Sequence, residues 1–387
     1  MKQNVILLGL VSLFNDFSAE MIYAVMPAFL VGVLGAPPIV LGLIEGVADA
    51  VASFLKIISG WFSDRIRRRK NITVFGYGLS LLTRLGLVFV TNYWQVFGIR
   101  VLDRVGKGVR ESPRDALLVE SVEKPAVGGS FGYLRTLDQV GGILGPLLAV
   151  ILLPILAYNY QNLFLIGFLI GILVLVLFIF VREPKSAPPP NPLNPPRLSF
   201  SLKAFPKKFK ILLLSVFLFG LGAMPIPLIL LKAQDTHTTG IGIPLMYLIY
   251  SLSFALLAIP FGRLSDKIGS RKVMAGGFIA AIISYLVLSR VESFTGIAFG
   301  FIIFGLYSAM TDGIGRTIAS KLVESRLLAS GEGFLGATIG IASFLAGLTG
   351  GYIWTSFGAI YAFLYGAIMM TVGLVVFLSL NHGRAGV

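Results

Sequence analysis

Cysteine is absent from this chain, so it can hold neither a disulfide nor a thiolate metal site. Histidine occurs only as His237 and His382. Both are expected outside the apolar segments, which leaves no imidazole for metal chemistry within them. Charge is scarce as well, at 13% of residues against about 25% in ordinary soluble domains. No nucleophile–base pair, Gly-rich phosphate loop or G-x-x-x-x-G-K-[ST] element is found. That argues against an enzyme and against ATP-driven work by this chain alone. No cofactor is expected.

What the chain has in quantity is apolar length. Hydrophobic residues make up 56% of the 387, and the mean hydropathy is +0.87. Runs of about twenty apolar residues recur from end to end, the pattern of an all-α protein that crosses a bilayer many times. About twelve spans are predicted, near 4–34, 39–62, 72–91, 94–118, 127–157, 162–182, 210–232, 240–263, 272–290, 294–318, 331–356 and 358–380. The first starts at Asn4 and has no small-residue cleavage site, so it reads as a retained helix rather than a signal peptide. The Pro-rich stretch 182–210 splits the chain into an N-terminal six-helix bundle (1–182), a linker (183–209) and a C-terminal six-helix bundle (210–387). Within the linker, Leu198–Lys210 mixes Phe and Leu with Lys and is expected to lie on the membrane surface as an amphipathic helix.

The net charge of +14 suggests nucleic acid only until the charges are located. They cluster in alternate loops: Arg65, Arg67, Arg68, Arg69 and Lys70; then 182–210; then Arg263, Lys267, Arg271 and Lys272. Loops 35–38, 91–93, 158–161 and 356–358 carry none. This is the positive-inside pattern. It places the basic loops and both termini in the cytoplasm, in the inner membrane of a prokaryote, facing anionic lipid rather than nucleic acid.

One span does not fit a lipid-facing helix. Trp94–Leu118 carries Arg100, Asp103, Arg104, Lys107, Glu111 and Arg114 at steps of three and four, so they form a single stripe. One ionised side chain at mid-bilayer costs at least ~2.5–3.5 kcal/mol. A stripe of six must therefore face protein or a water-filled cavity, which points to a transport pathway.

The two halves also repeat. Gly60 and Asp64 precede Arg65, Arg68, Arg69 and Lys70 after span two. Gly262 and Asp266 precede Lys267, Gly269, Arg271 and Lys272 after span eight. The pattern G-x-x-x-D-[RK]-x-G-x-[RK]-[RK] resembles the signature of the major facilitator superfamily, with Arg67 where that family usually has glycine. Length, six-plus-six spans and central loop resemble it too. The resemblance implies a secondary transporter in which two bundles rock about a central site, with spans one, four, seven and ten lining the cavity. It also implies a gate of Gly60, Asp64, Arg65, Arg68, Gly262, Asp266, Lys267 and Arg271. In that gate Asp64 would meet the start of span eleven at 330–333, and Asp266 the start of span five at 127–130. The run Gly141-Gly142-Ile143-Leu144-Gly145-Pro146 is similar to the G-x-x-x-G-P motif of exporters in the superfamily, and favours export.

The polar lining is lopsided. Ser12, Asn15, Asp16 and Glu20 lie on span one; Glu45, Asp49, Ser53 and Lys56 on span two; Arg84 on span three; Arg135, Asp138 and Gln139 on span five. Arg84 is expected to partner a carboxylate. The second half offers Met224, Pro225 and Pro227, an aromatic wall of Tyr247, Tyr250, Phe254 and Tyr307, and Asp312 and Arg316 near an end. Substrate contacts are expected from Asn15, Asp16, Glu20, Arg100, Asp103, Arg104, Lys107, Arg135, Asp138 and Gln139. The excess of Arg and Lys on spans four and five suits an anion, a zwitterion or an amphipathic compound. Asp16, Glu20 and Asp49 are the expected proton carriers. Arg110, Arg114, Asp115 and Glu120 are assigned to the inner gate. Three alternatives stay open: a divalent-cation exporter using Asp16, Glu20, Glu45 and Asp49; a non-transporting receptor or lipid scrambler; and charges that only hold the bundle together. A monomer is expected.

Overall fold

The computed structural model describes residues 3–66, 68–123, 126–183, 202–236, 240–324 and 327–380. His237, His382, Arg67 and 198–201 lie outside them, as do the side chains of Asp64 and Arg65. Among the described residues fourteen α-helices follow one another: α1 Gln3–Pro27, α2 Pro38–Ile66, α3 Arg69–Leu87, α4 Tyr93–Glu120, α5 Val127–Ile155, α6 Tyr160–Phe180, α7 Lys207–Gly222, α8 Ile226–Leu230, α9 Gly242–Ile268, α10 Ser270–Arg290, α11 Phe294–Thr311, α12 Ile314–Leu322, α13 Leu328–Phe357 and α14 Ala359–Leu378. There is no strand among the described residues.

Local chemistry sets the helix ends. Asn92 accepts from the Gln95 amide at 3.1 Å, and the Gln95 side chain accepts in return from the Asn92 amide, a capping box that starts α4. Asn159 caps α6 and Ser293 caps α11 through one bond each, accepting from the Asn162 and Gly296 amides. Past Pro27 the first span continues as a π turn, Ala28–Val33. Two predicted spans are broken. Span seven stops at Ala223–Pro225 and restarts with Pro227 in its first turn, where a missing N–H does no harm. Span ten stops at Asp312–Gly313, with Gly313 at φ +75°.

Ten of the helical stretches are long and apolar enough to cross a membrane, which makes this an integral membrane protein. α3 and α4 are the two predicted spans outside that set, and α4 carries the charged stripe. Large apolar side chains such as Phe54, Phe75, Phe89 and Leu256 point outward, where the lipid lies.

α1 packs on α5 and α6, and α2 and α3 pack on α4. The later helices form their own group, α9 with α11 and α7 with α14. The two groups meet chiefly through α2 against α13 and α5 against α9. Asn4 bonds Ser121 and the Arg182 carbonyl, and Arg271 bonds the Leu378 carbonyl, so one face gathers the N-terminus, the end of α14 and the basic loops. We call it the terminal face, and the opposite one the distal face.

On the distal half the groups are joined tightly. A Cβ built on Gly42 would lie 2.0 Å from the Gly347 carbonyl oxygen, so only backbone fits between α2 and α13 there. The Ile39 amide donates to Thr355 Oγ1 at 3.0 Å. On the terminal half they separate: a Cβ on Gly128, Gly129 or Gly336 would meet nothing within 4 Å. The groups are therefore shut against each other at the distal face, while the start of α5 and Gly336 of α13 are uncovered on the terminal half. The expected latch between Asp266 and the start of span five is not engaged in this state. Asp266 and Lys267 are exposed, and no hydrogen bond or ion pair joins Asp266 to residues 127–130 among the described residues.

The surface helix expected at Leu198–Lys210 is corrected. Leu202–Ala204 is a single 3-10 turn, and Phe205 turns inward to stack on Phe209 and meet Phe334 edge-on. Burying that ring outweighs leaving it at a lipid surface.

The backbone seam yields a test. Gly42→Val should hold the distal face open, because its Cβ would overlap the Gly347 carbonyl. Since the chain lacks cysteine, spin labels can be introduced only at Val33 and Ser356, and their separation should rise in the variant. An unchanged separation would refute the seam.

Candidate functional site

Between the two groups lies a cavity of about 260 Å³, lined from α1, α2, α4, α5, α8 and α9. Of the residues expected to touch substrate, Asn15, Asp16, Glu20, Asp103, Arg104, Lys107, Arg135, Asp138 and Gln139 line it. Arg100 does not, which corrects that assignment. It sits behind the wall at 6% exposure, donating from Nε and Nη2 to the two oxygens of Glu45 at 2.9 and 2.7 Å. Glu45 is 1% exposed. Such a fork-to-fork pair is how a buried arginine keeps its charge.

Most of the other cations are matched as well. Arg104 lies 3.6 Å from Glu45 and 3.7 Å from Asp49, and its guanidinium and that of Arg100 sit over the Tyr23 ring. Lys56 pairs with Glu111 at 2.7 Å, with Lys107 on the same carboxylate at 3.8 Å. Arg114 grips Asp115 at 2.9 Å and Ser12 at 3.1 Å. Arg110 donates to Ser80 and lies over Tyr77. Arg110, Arg114 and Asp115 line the cavity itself, deeper than the inner gate expected for them. Glu120 pairs with Arg69 at 2.8 Å instead.

The carboxylates nearest α5 are different. Asp16 accepts only from its neighbour Asn15, at 2.8 Å, among the described residues. Asn15 in turn accepts from Arg84 at 2.7 Å, and Arg84 also donates to Ser18 at 2.8 Å. Arg84 thus partners an amide and a hydroxyl, not the expected carboxylate, and it fixes the amide that faces Asp16. Asp138 has a buried oxygen, Oδ1, with no hydrogen-bond partner. Glu20 accepts from Tyr247 of α9 at 2.5 Å. The exporter-like glycines explain why these groups lie together. A Cβ on Gly141 would be 3.1 Å from Asp16 Cβ, and one on Gly145 2.9 Å from Glu20 Cβ. Only glycine lets α5 approach α1 at both carboxylates.

The second half supplies the aromatic wall: Tyr247, Tyr250 and Phe254 line the cavity. Tyr307 does not; it packs on Phe219 and Phe304 behind the wall. Tyr23 was not singled out from sequence, although it lies three residues after Glu20 on the same helical face. It meets Tyr247 edge-on at 5.5 Å. Asp49 does not line the cavity. It accepts from Ser343 of α13 at 3.3 Å, a further bond between the halves. Of the expected gate residues, Gly60 packs on Ser112, Gly262 faces open space, Arg68 is exposed, and Arg271 bonds the end of α14. Among the described residues no group of three or more His, Cys, Asp or Glu is placed to hold a metal ion.

Tyr247→Phe keeps the ring and removes the bond to Glu20. A hydrogen bond to a charged group is worth roughly 1.5–3 kcal/mol. If it forms only with the distal face shut, its loss should shift the balance toward the other state roughly tenfold or more, read by the Val33–Ser356 label pair.

The sequence profile described as Major Facilitator Superfamily matches residues 8–230 and 211–386. The MFS-type transporter MJ1317 of Methanocaldococcus jannaschii is 32% identical over 378 residues, covering 96% of this chain and 93% of that protein. The multi-drug resistance efflux pump PmrA of Streptococcus pneumoniae is 25% identical over 311 residues, 77% of each chain. Among solved structures, the nucleoside transporter NupG superposes with a TM-score of 0.79 at 14% identity, covering 98% of this chain and 99% of that one. A POT family transporter in complex with 5-aminolevulinic acid gives 0.81 at 16% identity, covering 98% and 95%.

Proposed function

This chain belongs to the major facilitator superfamily, and on that premise we propose that it exports amphipathic organic compounds bearing a positive charge, as cations or zwitterions, in exchange for protons. It is a membrane transporter of small molecules and not an enzyme. The observation that carries the substrate charge is the set Asp16, Glu20 and Asp138, which line the cavity with no cation paired to them among the described residues. Of the arginines that made an anion attractive, Arg100 and Arg104 are already engaged by Glu45 and Asp49.

Three carboxylates in a low-dielectric cavity need counter-charge. Either protons or a positively charged solute can supply it, and competition between the two is antiport. Tyr247, Tyr250 and Phe254 opposite give a quaternary or protonated amine a π surface. Arg135, exposed near the cavity, is available to the anionic end of a zwitterion. The name of PmrA supports the direction, outward. The basic loops favour a cytoplasmic terminal face, so that the state described here takes up its load from the cytoplasm. The bundles 1–182 and 210–387, acting as a monomer, would be the pivoting units.

The test uses purified protein in liposomes with an imposed pH gradient, offered ethidium as an amphipathic cation and carboxyfluorescein as an amphipathic anion. Gradient-driven movement of ethidium is expected. Faster movement of the anion rejects the substrate charge. Movement of either dye without regard to the gradient rejects the exchange. No movement of any solute leaves a receptor or scrambler as the better reading.

A further inference from the structure

A second cavity, of about 440 Å³, is separate from the one between the two groups. It lies on the lipid-facing flank, in the cleft between α2 and α3, with α4 as its floor. Its walls are Leu55, Ile58, Phe62, Ile72, Phe75 and Val109. Local packing makes the cleft. α2 rests directly on α4, because a Cβ on Gly108 would already touch Leu55 Cβ at 2.7 Å. α3 also packs on α4, but α2 and α3 barely touch each other.

Among the described residues, one cation stands at the terminal end of this apolar cleft. Arg68 lines it, is exposed, and has no hydrogen-bond or ion-pair partner among the described residues. Its neighbours are occupied. Arg69 pairs with Glu120 at 2.8 Å, and Lys70 Nζ donates to the Val181 carbonyl at 2.6 Å. The first amides of α3 are satisfied too, since those of Arg69 and Lys70 both donate to Glu183 at 2.9 Å. An anion arriving here finds Arg68, with the Asn71 amide beside it, and no other free donor of that group.

We infer that this cleft is a binding site for one anionic glycerophospholipid, its hydrocarbon chain between α2 and α3 and its phosphate on Arg68. Phe75, 64% exposed, and Ile58 and Phe62 offer the chain a surface that water cannot wet. The length of the cleft leads from apolar walls to a guanidinium at the basic, terminal side, which is the order of groups in a lipid read from tail to head. Basic residues at such a position attract anionic headgroups, and a pocket between helices makes that attraction specific. A lipid held there would bear on α2, the helix that forms the seam with α13. The inference depends on membrane insertion alone and stands whatever the transported solute is.

The experiment is native mass spectrometry of the full chain, delipidated and then titrated with phosphatidylglycerol or phosphatidylcholine. One retained phosphatidylglycerol is expected, with a preference over phosphatidylcholine of at least about fivefold. Arg68→Ala should abolish the preference, whereas Arg263→Ala, an exposed cation on the same face outside the cleft, should leave it intact. Ile58→Trp should fill the cleft and displace the lipid while the thermal midpoint stays unchanged. Equal retention of both lipids, no retained lipid, or equal losses from Arg68→Ala and Arg263→Ala would each overturn the assignment.

Discussion

Arg100→Leu is expected to destabilise the protein by about 3–5 kcal/mol, the usual result of removing one partner from a buried pair. The size follows from Glu45, which is 1% exposed and receives two of its hydrogen bonds from Arg100. Arg104, 3.6 Å away, is too distant to replace them without moving. The double replacement Glu45→Leu with Arg100→Leu should recover most of the loss, because no charge is then stranded. Thermal unfolding of the detergent-solubilised variants reads both effects. If the single and double variants melt together, the pair is not a structural unit. The contrast with Arg104→Ala is informative: that residue borders the cavity, and its loss should weaken transport more than folding.

Asp16→Asn should lower gradient-driven transport by two orders of magnitude or more while leaving the fold intact. Asparagine has nearly the same shape, and its oxygen still accepts from Asn15. What it cannot do is exchange a proton. Solute-for-solute exchange at equal pH should therefore survive far better than uphill movement. A variant that loses both equally would make Asp16 a solute contact only. One that keeps uphill transport at the original rate would exclude it as a proton carrier. Arg84→Met offers a companion measurement, since it frees the Asn15 amide that faces Asp16.

The helices were legible because a bilayer enforces them. Apolar runs of fixed length give the spans, and the stripe on Arg100–Arg114 gives the face that must avoid lipid. The two carboxylates of span one, Asp16 and Glu20, and the Gly141–Gly145 pair could be read as neighbours of the pathway for the same reason. Partnership was not legible. A helical stripe says which side chains share a face, not how two helices are rotated against each other. That is why Arg100 was expected in the cavity and instead closes on Glu45, and why Tyr307 was placed on a wall it only supports. Tyr23 was passed over because an aromatic in an apolar run carries no contrast. The inward turn of Phe205 depends on Phe334, more than a hundred residues away. The breaks at Ala223–Pro225 and Asp312–Gly313 lay on residues with visible turn chemistry, but span length alone hid them.

The contact of Gly42 with Gly347 has one more implication. At Gly42 and Gly347 the distal gate closes main chain on main chain, so that contact itself brings no side chain to recognise what has entered. Its closing energy is therefore blind to the cargo, and every discrimination must be made deeper, among the carboxylates and rings. Such a division of labour lets mutation rewrite the pocket for new solutes while the door keeps its fit.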